Sequence, residues 1–237
     1  MDAPSMGGLN WSQMPRAQSA YPAPDEVHLR LIRLPQGGDR VRRVAAQRQS
    51  LLRSLGHAIG QSLCAEDLLR LPGGKPILLP STDRSALSFS LSHSHDLMLI
   101  GVAARSGLGV DVERVRAVPQ AALIAQRFFS ADEQEMLSAL LGEARDIAFL
   151  KIWTLYEAVL KRDGVGLRHL ARARRSDPPP SLTTLRLGAR FVAGIAAPHG
   201  MRLMRAKQLA SMPCARDRNP ILAARPTVAS ATSWKAS

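Results

Sequence analysis

Two short segments, which begin at Gly107 and Trp153, constrain the fold of this chain more than any other part of it. The first segment, 107–113, ends in alternating apolar and acidic residues, which predicts a short strand. Side chains alternate along a strand, so the carboxylates of Asp111 and Glu113 would project side by side from one face. The opposite face would be apolar and would pack on a core.

The second segment, 153–161, has the spacing of an amphipathic helix. Glu157 lies three residues after Thr154 and four before Lys161, so these three side chains share one helix face. The apolar side of the helix would be supplied by Ile152, Trp153, Tyr156, Val159 and Leu160. If this helix crosses the strand, three carboxylates and one ammonium group converge.

Such a set of groups suits Mg²⁺, a hard cation that takes carboxylates, waters and substrate phosphates as ligands. The lysine could then neutralise a phosphate or protonate a leaving group. Spacing alone also allows structural interpretations. An acidic pair on a strand is found at solvated sheet faces, and Glu-x-x-x-Lys on a helix is commonly a surface ion pair worth about 0.3 kcal/mol.

The two segments together resemble the signature pair of the 4′-phosphopantetheinyl transferases of the Sfp type. The resemblance is carried by Gly-x-Gly-Val-Asp-Val-Glu from Gly107 and by Trp-Thr-x-x-Glu-Ala-x-x-Lys from Trp153. The intervening stretch from Arg127 to Glu133 is also similar to that family. Enzymes of this family move phosphopantetheine from coenzyme A to a serine of a carrier protein. The resemblance covers roughly 26–167.

The resemblance implies an α+β fold of two pseudo-symmetric halves, each with a long helix packed on a small antiparallel sheet, and an active site in the cleft between them. The long helices would be Asp39–Gln61 and Arg145–Arg162, and a capping box at Ser130 predicts a shorter helix before the second of them. The expected division is a flexible leader at 1–25, an N-terminal half at 26–105, a C-terminal half with the metal and catalytic residues at 106–198, and a basic, poorly ordered tail at 199–237.

The same resemblance implies a site. Mg²⁺ would be bound by Asp111, Glu113 and Glu157, and Glu157 and Lys161 would be the catalytic residues. Either Glu157 or a metal-bound water would deprotonate the carrier serine, while Lys161 would neutralise or protonate the departing 3′,5′-ADP. The residues that bind the nucleotide of coenzyme A would be Arg48, Lys75, Pro76, Ser92 and His93.

Taken without the resemblance, these nucleotide-binding positions are weak signals. Arg48 is equally well a solvated helix arginine, and Gly-Gly-Lys75-Pro is a turn that lacks the spacing of a P-loop. His93 and His95 are spaced as at some zinc sites, but no third ligand is evident. Lysines that the family carries further upstream have no clear match, and the candidates to replace them are Arg40, Arg42 and Arg43.

Composition limits the other possibilities. The 237 residues allow one large domain or two small ones, and 46% apolar residues are enough for a core. The sequence has no run of eighteen apolar residues, so no membrane-spanning helix is expected. The polar start lacks the apolar segment of a secretory signal. Cys64 and Cys214 have no histidine nearby, so free thiols in a reducing, cytoplasmic compartment are expected.

The net charge of +13 predicts an anionic partner. Much of the excess lies in 171–237, which has ten Arg and two Lys against two Asp. Aromatic residues make up only 4%, which disfavours a base-stacking surface for nucleic acid. The resemblance instead implies coenzyme A as co-substrate, an apo acyl or peptidyl carrier protein as partner, and a monomer that binds neither membrane nor nucleic acid.

The pathway stays open between polyketide, nonribosomal-peptide and fatty-acid synthesis. Tyr156 departs from the family, many of whose members have a basic residue just before the signature glutamate. Two alternatives come from other classes of protein. One is a non-catalytic descendant that binds coenzyme A without transfer, and the other is a nucleic-acid-binding protein, which charge alone supports.

Overall fold

The computed structural model describes residues 9–37, 39–71, 74–79, 87–166 and 179–206. The strands in these ranges are β1 Leu9–Asn10, β2 Glu26–Arg33, β3 Leu68–Arg70, β4 Pro76–Leu78, β5 Ser88–Ser94, β6 Leu97–Ala103, β7 Gly109–Arg114, β8 Ser181–Leu187, β9 Phe191–Ala197 and β10 Arg202–Arg205. The α-helices are α1 Arg40–Ile59, α2 Ala121–Phe128, α3 Ala131–Ser138 and α4 Gly142–Asp163. Among the described helices, none combines the length and apolar character that crossing a membrane requires.

Most of these strands form two sheets of four strands each. The first sheet has the order β10-β2-β6-β5, and the second has the order β1-β8-β9-β7. In each sheet three strands pair antiparallel, and a short edge strand adds to them in parallel: β10 on β2, and β1 on β8. The predicted α+β class is therefore confirmed, although the sheets are mixed where purely antiparallel sheets were expected.

The two halves of the chain share one connectivity. Each runs strand, long helix, strand, strand, as β2-α1-β5-β6 and then as β7-α4-β8-β9. In each, the last strand pairs between the first and the second. The insertions differ, since the small β3-β4 sheet follows α1 whereas α2 and α3 precede α4.

The sheets stack through their apolar faces, and the long helices cover the two remaining faces. Alternating apolar side chains of β2, such as Val27 and Leu29, meet those of β7 and β9, such as Val110 and Ile195, in one buried cluster. α1 packs on the other face of the first sheet. α4 packs on the other face of the second sheet together with α2 and α3.

Local signals fix the ends of the long helices. The Asp39 carboxylate accepts from the Arg42 N–H at 2.8 Å and so caps α1, as a residue at that position should. α4 ends at Gly164, whose φ of 70° is the left-handed conformation that glycine adopts readily. The predicted α1 is confirmed to within two residues at its C-terminus, and α4 begins three residues earlier than predicted.

The ends of the described chain differ from the expected leader and tail. Within 9–25, β1 pairs with β8 and Met14 is buried in the core between the sheets. Within 199–206, β10 is a strand because pairing satisfies the edge of β2 and buries Met204. The remainder of both expectations, at 1–8 and 207–237, lies outside the described residues, as does Cys214; Cys64 is a free thiol.

Two glycines bring α4 into direct contact with the second sheet. A Cβ added to Gly109 on β7 would lie 1.8 Å from the Ala158 carbonyl oxygen. A Cβ added to Gly194 on β9 would lie 2.4 Å from the Thr154 carbonyl carbon. The helix backbone therefore rests on sheet backbone, which sets the height of every α4 side chain above β7.

Replacement of Gly194 by alanine should destabilise the fold by roughly 3 kcal/mol, because the helix backbone must move to admit the methyl group. Urea unfolding at equilibrium measures the change. The control is Gly166→Ala, since an added Cβ there meets nothing within 4 Å; its effect should stay within about 0.5 kcal/mol. Equal stabilities of the two variants would contradict the contact.

A buried polar stripe on β2 faces α1. His28 Nε2 and the Glu26 carboxylate pair at 2.9 Å, and this contact lowers the pKa of Glu26. Arg30 is also buried, but its Nε and Nη1 have no hydrogen-bond partner, and burial lowers its pKa to about 10. Arg30 thus keeps its charge at neutral pH in a poorly compensated environment.

The variant Arg30→Met should be more stable than the parent by about 1–2 kcal/mol, because it removes a buried charge without opening a large cavity. Arg33→Met on the same strand is the matched control. Arg33 is exposed and loses a 2.8 Å contact to Asp96, so this variant should be no more stable than the parent. Thermal unfolding of the three proteins decides; a clear loss of stability in Arg30→Met would overturn the interpretation.

Candidate active site

A cleft of about 510 Å³ opens where the edge strands β5 and β7 of the two sheets approach each other. α1 and the β3-β4 turn contribute from one half, and α4 contributes from the other. All nine residues predicted for the site line this cleft: Arg48, Lys75, Pro76, Ser92, His93, Asp111, Glu113, Glu157 and Lys161. Residue spacing could not show that the two halves meet here, because α1 and α4 are far apart in the chain; the family resemblance implied it.

The strand and the helix meet as their spacing predicts. Asp111 and Glu113 lie on the face of β7 that also carries Gly109, on which α4 rests. Lys161 Nζ donates to Asp111 Oδ1 at 2.6 Å, and the Asp111 side chain is only 4% exposed. The Asp111 and Lys161 charges therefore compensate each other.

Serine hydroxyls connect β5 to β7. Ser90 Oγ accepts from the Val110 N–H at 3.0 Å, and Ser92 Oγ donates to Asp111 Oδ1 at 2.7 Å. The third serine of the series, Ser94, donates to Glu113 Oε2 at 3.0 Å and accepts from the Arg114 N–H. Ser92 was predicted to bind the nucleotide; it lines the cleft, but its hydroxyl points to a carboxylate.

Glu157 is the most strongly perturbed acid of the cleft. Burial, followed by the negative charge of Asp111, raises the pKa of Glu157 to about 7, while Lys161 and a hydrogen bond from Trp153 oppose this rise. Burial also raises the pKa of Glu113, and Arg116 at 3.1 Å limits that shift. Three carboxyl groups thus share a site that lacks enough positive charge.

The donor set fits a divalent cation. Within the described ranges, no three acidic, histidine or cysteine side chains already form a closed metal cluster. However, Asp111 Oδ2 is buried and has no partner, while Oδ1 carries both hydrogen bonds. An oxygen-ligated ion such as Mg²⁺ would satisfy that oxygen and compensate the crowded charges of Glu113 and Glu157.

The opposite wall of the cleft is basic. Arg48 on α1 donates weakly to the Ala65 carbonyl at 3.4 Å, and its Nε is buried without a partner. Lys75 Nζ donates to the Arg162 carbonyl at 2.9 Å, and burial lowers its pKa. Burial and the neighbouring Lys161 charge lower the pKa of His93. An anionic ligand would find unused donors on this wall.

Some residues of the cleft were missed by the sequence interpretation. Arg70 on β3 lines the cleft, whereas the suggested replacements for the family's upstream lysines, Arg40, Arg42 and Arg43, do not. The charge of Arg43 nevertheless contributes to the lowered pKa of His93. No motif marks Arg70, because its position depends on a strand of three residues whose partner lies across a turn.

Tyr156 points away from the cleft. Its ring is buried and stacks on Phe129 with centroids 5.3 Å apart, and its hydroxyl donates to Glu133 Oε2 at 2.9 Å. The same oxygen accepts from the Ser130 N–H in the predicted capping box, which is confirmed. Tyr156 therefore anchors the start of α3 to α4, one residue before Glu157.

Comparison with known proteins finds the expected superfamily over part of the chain. Residues 107–193, which include β7, α4 and the three carboxylates, match the family model of the 4′-phosphopantetheinyl transferase superfamily. The Sfp type within that superfamily stays a prediction.

Individual relatives agree. The chain is 39% identical over 97 residues to the 4′-phosphopantetheinyl transferase HetI of Nostoc sp. strain PCC 7120, a match that covers 41% of each chain. It is 35% identical over 98 residues to the 4′-phosphopantetheinyl transferase psf-1 of Bacillus pumilus, covering 40% of this chain and 39% of the relative. The matches thus span about two fifths of these relatives' lengths.

Replacement of Glu157 by glutamine should stabilise the metal-free protein, increasingly so as the pH rises. A carboxyl with a raised pKa in the folded state opposes folding once it ionises, so the parent loses stability between its unfolded-state pKa near 4.5 and about 7. Glutamine removes this loss. The advantage of Glu157→Gln should grow by an amount on the order of 2 kcal/mol between pH 5 and pH 8.

Urea unfolding in EDTA at the two pH values measures this difference. Glu143→Gln, which changes an exposed acid on the first turn of the same helix, is the control and should follow the parent. A Glu157→Gln profile parallel to that of the parent would show that Glu157 does not carry the perturbed proton.

Proposed function

We propose that this protein transfers 4′-phosphopantetheine from coenzyme A to a serine of an apo acyl or peptidyl carrier protein and releases 3′,5′-ADP. The observation that carries the proposal is the meeting of Asp111, Glu157 and Lys161 in one cleft. The segment that supplies all three is the one that matches the superfamily. The size of the cleft is in the range of small-molecule sites.

The carboxylates would hold the metal. Mg²⁺ bound by Asp111, Glu113 and Glu157 would neutralise charge on the pyrophosphate oxygens of coenzyme A. The unpartnered Asp111 Oδ2 supports this role, because no protein donor competes for it among the described residues. Lys161 contacts the other oxygen of Asp111, and as a cation it would pair with a phosphate rather than bind the metal.

The proton of the carrier serine needs an acceptor in the cleft. A carboxyl group whose pKa lies near 7 can take up a proton at neutral pH, which suits Glu157 for this role, directly or through water. The serine oxygen then forms a bond to the phosphorus that bears pantetheine. The bond from that phosphorus to the 3′,5′-ADP oxygen breaks, and Lys161 neutralises or protonates the departing group.

The basic wall would anchor the nucleotide. Arg48, Lys75 and His93 supply positive or donor groups at phosphate-binding positions, and Pro76 borders the same space. Ser92 lies with them, although its hydroxyl is engaged with Asp111. Arg70 is an additional candidate from the same wall. Basic groups and carboxylates that line one cleft suit a ligand that carries phosphates and a metal ion.

The carrier protein would dock by charge. A net charge of +13 favours rapid association with acidic carrier domains, since complementary charge increases the encounter rate. We place the reaction in the cytoplasm and in polyketide, nonribosomal-peptide or fatty-acid synthesis. The rival class, a protein that binds coenzyme A without transferring it, makes the opposite prediction for carrier modification.

Intact-mass measurement of an apo carrier domain, incubated with the protein, coenzyme A and Mg²⁺, should show the gain of one phosphopantetheine. Glu157→Gln and Asp111→Asn should each slow this gain at least about 100-fold, since general-base and metal contributions are of that order or larger. Glu143→Gln on the same helix should leave the rate unchanged.

Binding of coenzyme A, measured by calorimetry, separates the two classes. If several apo carriers stay unmodified by the parent protein while coenzyme A binds, the non-catalytic interpretation replaces transfer. If neither transfer nor binding occurs, both are wrong.

A further inference from the structure

The serines of β5 occupy alternate positions on the strand edge that faces β7. β5 and β7 belong to different sheets and are not paired through their backbones. Ser90, Ser92 and Ser94 are two residues apart, so their side chains project from one face of β5. Their hydroxyls make the polar contacts that cross this seam, and we call the three residues the serine ladder.

The hydroxyl of Ser92 has a single proton, and that proton is used on a carboxylate. Ser92 is buried, 6% exposed, and donates to Asp111 Oδ1 at 2.7 Å. A phosphate oxygen also requires a donor, so Ser92 could bind a phosphate only by releasing Asp111. The geometry therefore favours Asp111 over the nucleotide as the partner of Ser92.

Both contacts to Asp111 fall on the same oxygen. Ser92 and Lys161 donate to Oδ1, which leaves Oδ2 buried and without a partner. A carboxylate held through one oxygen by two donors on different structural elements has a fixed orientation. Its second oxygen is then presented in one direction, as an ion site requires.

Glu113 repeats this arrangement one step along β7. Ser94 and Arg116 both donate to Glu113 Oε2, at 3.0 and 3.1 Å, so Oε1 is left for another ligand. Ser94 also accepts from the Arg114 N–H at 3.0 Å, which fixes its hydroxyl relative to β7. Two neighbouring carboxylates are thus each held by a serine from the other sheet.

We infer that Ser92 and Ser94 are positioning residues that orient Asp111 and Glu113 for a divalent cation, rather than residues that bind the nucleotide. The inference rests on the proposed function, because it assumes a metal at these carboxylates. It assigns Ser90 a different role, since its hydroxyl accepts from a backbone N–H and touches no carboxylate.

The test is the affinity for Mn²⁺ in the presence of coenzyme A and without carrier protein, measured from the free-ion signal in electron paramagnetic resonance. Ser92→Ala and Ser94→Ala should each weaken Mn²⁺ binding by about 10-fold, the lower end of the range for residues that orient metal ligands. Ser94→Thr keeps the hydroxyl and should retain the parent affinity.

Binding of coenzyme A in EDTA separates positioning from nucleotide contact. Ser92→Ala should bind coenzyme A without metal as tightly as the parent, whereas His93→Ala should bind it more weakly. Loss of metal-free affinity in Ser92→Ala, comparable to that of His93→Ala, would make Ser92 a nucleotide contact and overturn the inference.

Ser90→Ala is the control for a general weakening of the contact between β5 and β7. It should lower thermal stability by an amount similar to Ser92→Ala but leave Mn²⁺ affinity unchanged. If it weakens Mn²⁺ binding equally, or if none of the alanine variants weakens it, the ladder does not position the carboxylates. A parent protein that binds coenzyme A but no Mn²⁺ would overturn both the inference and the proposed metal.

Discussion

The site depends on one contact, in which the backbone of α4 packs directly on the backbone of β7 and β9. Gly109 and Gly194 let the helix approach β7 and β9 until backbone meets backbone. One consequence is stability, since α4 makes its most extensive packing with these strands. The other is chemical: Lys161 reaches Asp111 at 2.6 Å only because nothing intervenes between the helix and the strand.

The cleft lies between β5 and β7, two strands that are not joined by backbone hydrogen bonds. β5 and β7 are edge strands of separate sheets, and an unpaired edge normally needs cover or another strand. Here side chains supply the missing contacts, through serine hydroxyls on one strand and carboxylates on the other. A seam joined by side chains stays open enough to admit a ligand, whereas a continuous sheet would fill the space with backbone.

Local signals in the sequence were sufficient for the parts of the fold that are themselves local. Strand alternation around Asp111, helical spacing around Glu157, the Asp39 cap and the Ser130 capping box depend on neighbours within a few residues, and the structure agrees with each. The resemblance then supplied what spacing could not, namely that α1 and α4 face one cleft.

The features that were missed depend on distant partners. β10 is a strand because Arg202–Arg205 can pair with β2, nearly the whole chain away, and no pattern within four residues signals that pairing. Likewise, the direction of the Ser92 hydroxyl depends on where Asp111 lies, which no local pattern reveals. Tyr156, by contrast, lies on the apolar side of α4 as its helical spacing predicted, and its ring stacks on Phe129.

The crowded carboxyl groups of the cleft are costly to the fold, as expected of a site that binds a cation. Burial and mutual repulsion raise the pKa of Glu157 and of Glu113, and Lys161 compensates only Asp111 by direct contact. Lys161 pairs with Asp111 and Arg116 pairs with Glu113, so two basic groups face three carboxyl groups among the described residues. A divalent cation would supply positive charge that the site lacks, and the unpartnered Asp111 Oδ2 indicates where it would bind. Because α4 packs on the backbone of β7 and β9, it brings Glu157 to the carboxylates of β7, so the contact that builds the site also crowds its acidic groups.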